Sequence, residues 1–271
     1  MENNLNKIIE NAIYYLKFVN DKSNYDIYSD YLKFKEEVDK DKTIDAVYPQ
    51  KIKEEENILV KEKQTIQRNV NLSLLTESWM EIEKLDELNK AICDCKKCNL
   101  GKSRNNFVFG VGNPNANAVL VGEAPGAEED KQGIPFVGRA GKLLTDILKA
   151  INFSRDEVYI CNIIKCRPPE NRNPLPDEIG KCEPYLLRQL EIIKPKLILS
   201  LGTFATQTLL RTREPLGKMR GKNYDYMVGD QKIKLMVTYH PAALLRNPNW
   251  KKLTWEDVQM FRKEYDKEIN K

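Results

Sequence analysis

The sequence predicts an α/β fold of three layers over residues 89–271, with helices on both faces of a central, mainly parallel four-stranded sheet. Residues 1–88 read as a helical, charged N-terminal extension. Three observations point there. Four short apolar runs rich in β-branched residues recur in the second part of the chain. Helical patterns separate them, an alternation typical of parallel sheets covered on both faces. The first 88 residues contain no glycine and are dominated by Lys, Glu, Asn and Asp.

Taken in order, Leu5, Ile8, Ile9, Ala12, Ile13, Leu16 and Val19 recur at helical spacing, which predicts an amphipathic helix over the first twenty residues. Residues 51–69 read as a solvated linker or weak helix. The first strand is "NAVLVGE" (117–123), followed by the helix "AGKLLTDILKAI". The second strand, "VYICNIIKC" (158–166), leads to the longer helix "PDEIGKCEPYLLRQLEIIK". "KLILSLG" (196–202) is the third strand, with "TFATQTLL" as a short helix behind it. "KLMVTYH" (234–240) is the fourth. "TWEDVQMFRKEYDKEI" closes the chain as a helix, Thr254 and Asp257 matching a capping box.

At 271 residues the chain holds one large domain, or one domain with an appendage. Its net charge of +4 permits nucleic-acid binding without demanding it. No basic start followed by an apolar run marks a signal peptide, and no stretch of about 20 apolar residues marks a membrane span. The expected location is the cytoplasm. In that reducing compartment the six cysteines, 93, 95, 98, 161, 166 and 182, are more readily metal ligands than disulfides.

In doubly wound sheets ligands sit beyond the carboxyl ends of the strands. Here those ends carry "GEAPG", "CRPPENRNP", "GT" and "HPAALLRNP". Gly122 and Gly126 let backbone approach a ligand closely. Phe136, at the end of a polar loop, is either a core plug or a platform for a base. Asn162 lies in an apolar strand, where a buried amide must find partners; it either satisfies backbone groups or reads a base edge. Arg167, Asn171, Arg172 and Asn173 share a proline-stiffened loop suited to phosphate. His240, the only histidine, excludes a His-rich zinc site and any mechanism that needs two imidazoles. Lys142, Lys165, Arg139, Arg213, Lys218, Arg220, Lys222 and Arg246 also fall in or beside these loops, at the edge a polyanion would meet.

Cys95 and Cys98 have the C-x-x-C spacing with which one turn grips one metal. Cys166 and Cys182 lie farther along the chain, and four thiolates suit structural zinc or an iron–sulfur cluster. Spacing alone does not choose four of the six: Cys93 and Cys161 compete, although Cys161 sits in an apolar strand and reads as core.

Together these segments resemble the family 4 uracil-DNA glycosylases, the iron–sulfur branch of that superfamily. The resemblance spans residues 89 to 270. It rests on "CKKCNL" (95–100), "GEAPGAEEDKQGIPFVGRAGKLL" (122–144), "CNIIKCRPPENRNPLPDE" (161–178), Cys182, "RGKNYDY" (220–226) and "HPAALLRNP" (240–248). It implies that Cys95, Cys98, Cys166 and Cys182 hold a 4Fe-4S cluster. It implies that Phe136 stacks on a flipped uracil, that Asn162 reads its Watson–Crick edge and that His240 donates toward O2. Gly122, Glu123, Ala124, Pro125 and Gly126 would place the sugar and the attacking water; Glu123 either orients that water or braces the turn. Arg167 and Arg172 would meet DNA. Leu244, Leu245 and Arg246 would press into the minor groove. Uracil-containing DNA is the implied partner, with free uracil and an abasic site as products. A monomer without a nucleotide cofactor is expected. Ala124 stands where other branches hold a water-activating Asp, an absence typical of this family that leaves the water's activation open; one departure matters, Ala242, where many relatives carry Ser. The rival reading is a non-catalytic iron–sulfur or zinc protein that binds DNA.

Overall fold

The four apolar runs do form neighbouring parallel strands, but the sheet is wider than the sequence predicts. The computed structural model describes residues 77–270; the helix and linker expected over residues 1–20 and 51–69 lie outside them. The strands are β1 (Val111–Gly112), β2 (Ala118–Gly122), β3 (Tyr159–Asn162), β4 (Leu197–Leu201), β5 (Tyr224–Val228) and β6 (Gln231–Thr238). Their order is β1-β3-β2-β4-β6-β5, six strands rather than four. The inner four are parallel, while β1 and β5 pair antiparallel at the two edges. Both additions are edge strands. β1 is two residues long, and β5 alternates buried and exposed residues, so neither shows the continuous apolar run of a buried strand.

The helices are α1 (Leu85–Ile92), α2 (Leu100–Ser103), α3 (Ala127–Gln132), α4 (Arg139–Ala150), α5 (Pro176–Ile193), α6 (Thr203–Leu210), α7 (Leu216–Met219), α8 (Pro241–Arg246) and α9 (Trp250–Ile269). Side chains alternate across each strand. Leu120, Ile160, Leu199 and Met236 face one way and pack with Leu144 and Leu148 of α4 and with Val258 and Phe261 of α9. On the opposite face, Ser200 accepts from Thr206 of α6 and Tyr159 meets Gln189 of α5. These are the three layers. Register aligns the strand ends: Gly122 pairs with Asn162, Val121 with Ser200, and Leu201 with Thr238. The residues that follow β2, β3, β4 and β6 therefore meet at one edge.

The final helix starts earlier than the capping box suggests. It begins at Trp250, so Thr254 and Asp257 are interior and both buried. Asp257 instead accepts from Thr238 Oγ1 at 2.9 Å and pairs with Arg220, whose Nη2 lies 2.9 Å from Oδ1. The carboxylate is needed in the core by a partner that is remote in sequence. At the other end of the described residues, Trp79 packs edge-on against Tyr185 of α5 with centroids 4.7 Å apart.

Candidate active site

The aligned strand ends open into a cleft of about 580 Å³. Glu123 to Gly126, Phe136, Asn162, Arg172, His240 and Arg246 line it, as do Phe204, Gln207, Tyr239 and Trp250.

Two of the three acids before "IPFVG" hold the loop that forms one wall. Residues 127–132 coil into α3, so Glu128, Glu129 and Asp130 point in different directions. Glu129 Oε1 accepts from the backbone N–H of Val137 and of Gly138, each at 3.0 Å. Buried Asp130 accepts from the backbone and side chain of Asn105 at 2.9 and 2.6 Å. Between these anchors Phe136 adopts φ 55°, a conformation that costs a bulky residue about 1–3 kcal/mol. Gly141 makes room for it, since a Cβ there would lie 1.9 Å from the Phe136 carbonyl oxygen. Strain held in place from both sides fixes the ring, which meets the His240 imidazole at 5.4 Å between centroids. Phe136 is only 6% exposed, so it is both core plug and cleft wall.

Asn162 ends β3 and is 2% exposed. Its Oδ1 is buried without a hydrogen-bond partner, although the residue lines the cleft. Such an orphan acceptor costs about 1–3 kcal/mol unless a ligand fills it. Gly122 permits the arrangement. A Cβ there would lie 2.4 Å from Asn162 Oδ1 and 2.7 Å from Phe136 Cζ, so ring and amide can converge only over bare backbone.

His240 caps α8. Its Nδ1 accepts from the Ala242 backbone N–H at 3.1 Å. A backbone N–H can only donate, so Nδ1 carries no proton and Nε2–H is the free donor. Burial, with Arg246 beside it, drops the imidazole to about 4, and it is neutral at pH 7. Glu123 shows the opposite effect: burial lifts its carboxyl to about 7. A carboxyl near neutrality at a cleft wall suits proton transfer from water better than it suits bracing a turn.

The residues expected to meet DNA divide. Arg246 and Leu245, the latter 40% exposed, stand outward on α8, while Leu244 is buried beneath them at 1%. Arg172 lines the cleft with both Nη atoms on Glu178, at 2.9 and 2.7 Å. Arg167 lies outside the cleft lining and donates to Asn171 Oδ1 at 2.9 Å. Two of the bases expected at the polyanion edge are turned inward instead: Lys165 is fully buried, and Arg220 is committed to Asp257. The cleft also holds residues the sequence did not single out. Tyr239 and Trp250 stack at 4.7 Å and 14°, and Gln207 shares the wall. Two aromatics closely spaced around "HPAALLRNP" are the only local signal of that stack.

The cysteines sort themselves. Cys95 accepts from Tyr185 Oη at 3.2 Å, Cys166 from Arg104 Nη1 at 3.1 Å and Cys182 from the Lys165 backbone N–H at 3.2 Å. Burial raises the Cys166 and Cys182 thiols; Cys98 and Cys95 push Cys166 further up, and Cys166 and Cys98 do the same to Cys182. Cys95, Cys98, Cys166 and Cys182 are therefore one electrostatic group. Cys93 instead faces the Lys90 carbonyl, and Cys161 lies within β3. Among the described residues, no three His, Cys, Asp or Glu groups are placed to hold a single metal ion. Zinc needs sulfurs drawn in to bonds of about 2.3 Å. A polynuclear cluster accepts more widely spaced thiolates, and N–H donors aimed at sulfur suit its charge.

Comparison with known proteins agrees with this geometry. Residues 109–259 match the family model "Uracil DNA glycosylase superfamily". A type-4 uracil-DNA glycosylase of Archaeoglobus fulgidus is 44% identical over 70% of this chain and 92% of its own length. One from Sulfurisphaera tokodaii is 46% identical over 67% of this chain and 84% of its own. One from Thermotoga maritima is 41% identical over 69% and 97% respectively.

Proposed function

The chain belongs to the uracil DNA glycosylase superfamily, in its type-4 branch, and from that premise we propose how its cleft excises uracil from DNA. It is a DNA-repair hydrolase of N-glycosidic bonds. A glycosylase cannot reach its bond inside the stack, so the uracil must be extruded into the cleft at a cost of a few kcal/mol. Phe136 stacks on the flipped base. Asn162 Oδ1 accepts from uracil N3–H while its amide nitrogen donates to O4. Cytosine presents the opposite pattern and leaves polar groups unpaired.

The chemistry follows from the two shifted groups. Water attacks C1′ as the C1′–N1 bond breaks, and the electron pair leaves with uracil, spreading onto O2. The neutral His240 donates its Nε2–H to that oxygen, a preorganised donor aimed at developing charge. Ionised Glu123 orients the water and takes its proton. Leu245 and Arg246 fill the gap left in the duplex. Arg172, clamped by Glu178, holds the "RPPENRNP" loop in shape and contributes positive potential to the cleft. Arg167 contacts phosphate outside it.

Cys95, Cys98, Cys166 and Cys182 would hold a 4Fe-4S cluster, which ties the segment before β1 to α5 when bound. The expected boundary at residue 88 moves back, because Trp79 packs on Tyr185 and Leu85 and Leu88 of α1 are buried; the extension that the chemistry does not need is the chain before Thr76. The enzyme works in the reducing cytoplasm as a monomer. No helix among the described residues is long and apolar enough to cross a membrane.

One observation carries the reading: Asn162, a residue of the cleft wall beside a fixed aromatic ring, keeps its buried Oδ1 without a hydrogen-bond partner. The test is release of free uracil from oligonucleotides containing U, C or T at one position. Cluster-loaded protein should release uracil alone, and Asn162→Ala should lose at least about 10²-fold in rate. DNA binding without release would favour the non-catalytic alternative.

A further inference from the structure

Lys165 is 0% exposed, yet no part of the chemistry above uses it. A lysine amino group in a protein core is costly unless its N–H donors are met, and burial pushes this one toward its neutral form. Its Nζ donates to the backbone carbonyl of Asn162 at 2.9 Å and to Gln189 Oε1 at 2.5 Å. Gln189 is held in turn: its Nε2 donates to the Phe109 carbonyl at 3.0 Å and to Tyr159 Oη at 3.1 Å. No carboxylate takes part in this network.

The topology explains why Asn162 needs such a grip. The Ile163 N–H bonds to the Gly122 carbonyl, on the β2 side. Backbone groups alternate along a strand, so the Asn162 carbonyl points the other way, toward β1. β1 is only two residues long and pairs with Tyr159 and Ile160, so it does not reach Asn162. At this position the ladder has run out, and Lys165 Nζ stands where a strand N–H would be. The same residue's backbone N–H donates to Cys182 Sγ at 3.2 Å, and Cys166 follows it in sequence.

We propose that Lys165 and Gln189 are positioning residues for uracil recognition: an amine–amide clamp fixes the peptide of Asn162, and with it the direction of the side-chain amide that meets the base. The inference rests on the reading of Asn162 as the residue that contacts uracil. Base reading tolerates about 10–20° of misdirection. A strand end whose carbonyl lacks a ladder hydrogen bond would exceed that, and the clamp removes the freedom. It also makes the cysteine-bearing segment and the base-reading residue one mechanical unit.

A double-mutant cycle in the full chain tests this. The variants are Gln189→Met, Lys165→Met, Asn162→Ala and Asn162→Ala with Gln189→Met. The readouts are single-turnover uracil release, KM for DNA, iron per chain, and affinity for free uracil followed by NMR. Gln189→Met and Lys165→Met should each lower the rate about ten- to hundredfold, with KM and iron content unchanged. Free uracil should bind more weakly by a similar factor. In the Asn162→Ala background, Gln189→Met should cost nothing further, because the residue through which it acts is gone. Multiplying losses in the double variant would overturn the clamp, as would a Gln189→Met protein at full rate and affinity. If Lys165→Met fails to fold, the Gln189 cycle decides alone. Full activity in Asn162→Ala would overturn the reading of Asn162 itself, a result distinct from additive losses.

Discussion

Gly122→Ala perturbs the base site by one methyl group. The new Cβ would lie 2.4 Å from Asn162 Oδ1, and 2.7 and 2.9 Å from Cζ and Cε2 of Phe136. Contacts under 3.0 Å do not persist, so the amide oxygen must retreat by at least 0.6 Å and the ring by several tenths. Neither can do so freely. Phe136 sits in a strained conformation between Glu129 and Gly141, and the Asn162 peptide is hydrogen-bonded to Lys165. Overpacking of this kind costs about 1–3 kcal/mol of stability. In a domain of this size that lowers Tm by about 2–4 °C for each kcal/mol. Displacing both base contacts toward 1 Å should cost about 10²-fold in rate. The assay is single-turnover cleavage of an end-labelled oligonucleotide at the abasic site, with KM expected to stay near the parent value because the cleft mouth is untouched. Gly217→Ala is the control, since its Cβ would meet nothing within 4 Å. A Gly122→Ala enzyme at parental rate would refute the convergence of ring and amide on the substrate.

Three further outcomes are expected. Because burial lifts Glu123 to about 7, kcat/KM should rise with pH up to about 7, and Glu123→Gln should abolish that limb. The folded chain keeps the Glu123 proton to higher pH than the unfolded chain, so this group's contribution to stability falls as pH rises from the ordinary carboxylate range to about 7. His240, dropped to about 4, acts in the opposite sense: its contribution grows between about 4 and the ordinary imidazole value. Tm of Glu123→Gln should therefore climb more steeply than the parent's between about pH 5 and 7; parallel curves would contradict the burial of Glu123. Serine at Cys95, Cys98, Cys166 or Cys182 should each lower iron per chain, whereas serine at Cys93 or Cys161 should not, as read by an iron and sulfide assay. Asp257→Ala removes the buried carboxylate shared by Thr238 and Arg220, while Arg220 keeps Glu256 and the Leu253 carbonyl, and should cost about 1–3 kcal/mol in a denaturant titration; a loss under about 0.5 kcal/mol would deny the carboxylate its structural weight.

What the sequence made legible is what local pattern encodes. The cores of β2, β3 and β4 are largely apolar runs, and α4 and α5 carry a helical period, so both kinds of element stand out. β5 does not, because "YDYMV" exposes Asp225 and Met227 on an edge hairpin. α3 and α8 are six residues each, too short to show a period. Phe136, Asn162 and His240, the residues proposed to read the base, do line one cleft, and Asn162 and His240 were legible by chain position because strand ends in this architecture meet at the ligand edge. The charged ones were not. Lys165 and Arg220 read as bases for a polyanion, but their partners lie 24 and 37 residues away, and nothing in the local sequence reveals a remote partner. Glu129 and Asp130 are the staples of the Phe136 loop through partners that the local sequence does not show.

The central claim is that a buried amide oxygen awaits one hydrogen on one base. A crystal structure of the cluster-loaded enzyme with free uracil measures this directly. Uracil N3 should lie about 2.7–3.2 Å from Asn162 Oδ1, with the ring stacked on Phe136 and O2 toward His240 Nε2. Uracil bound with N3 turned to any other acceptor, or lodged outside the cleft, would contradict the account.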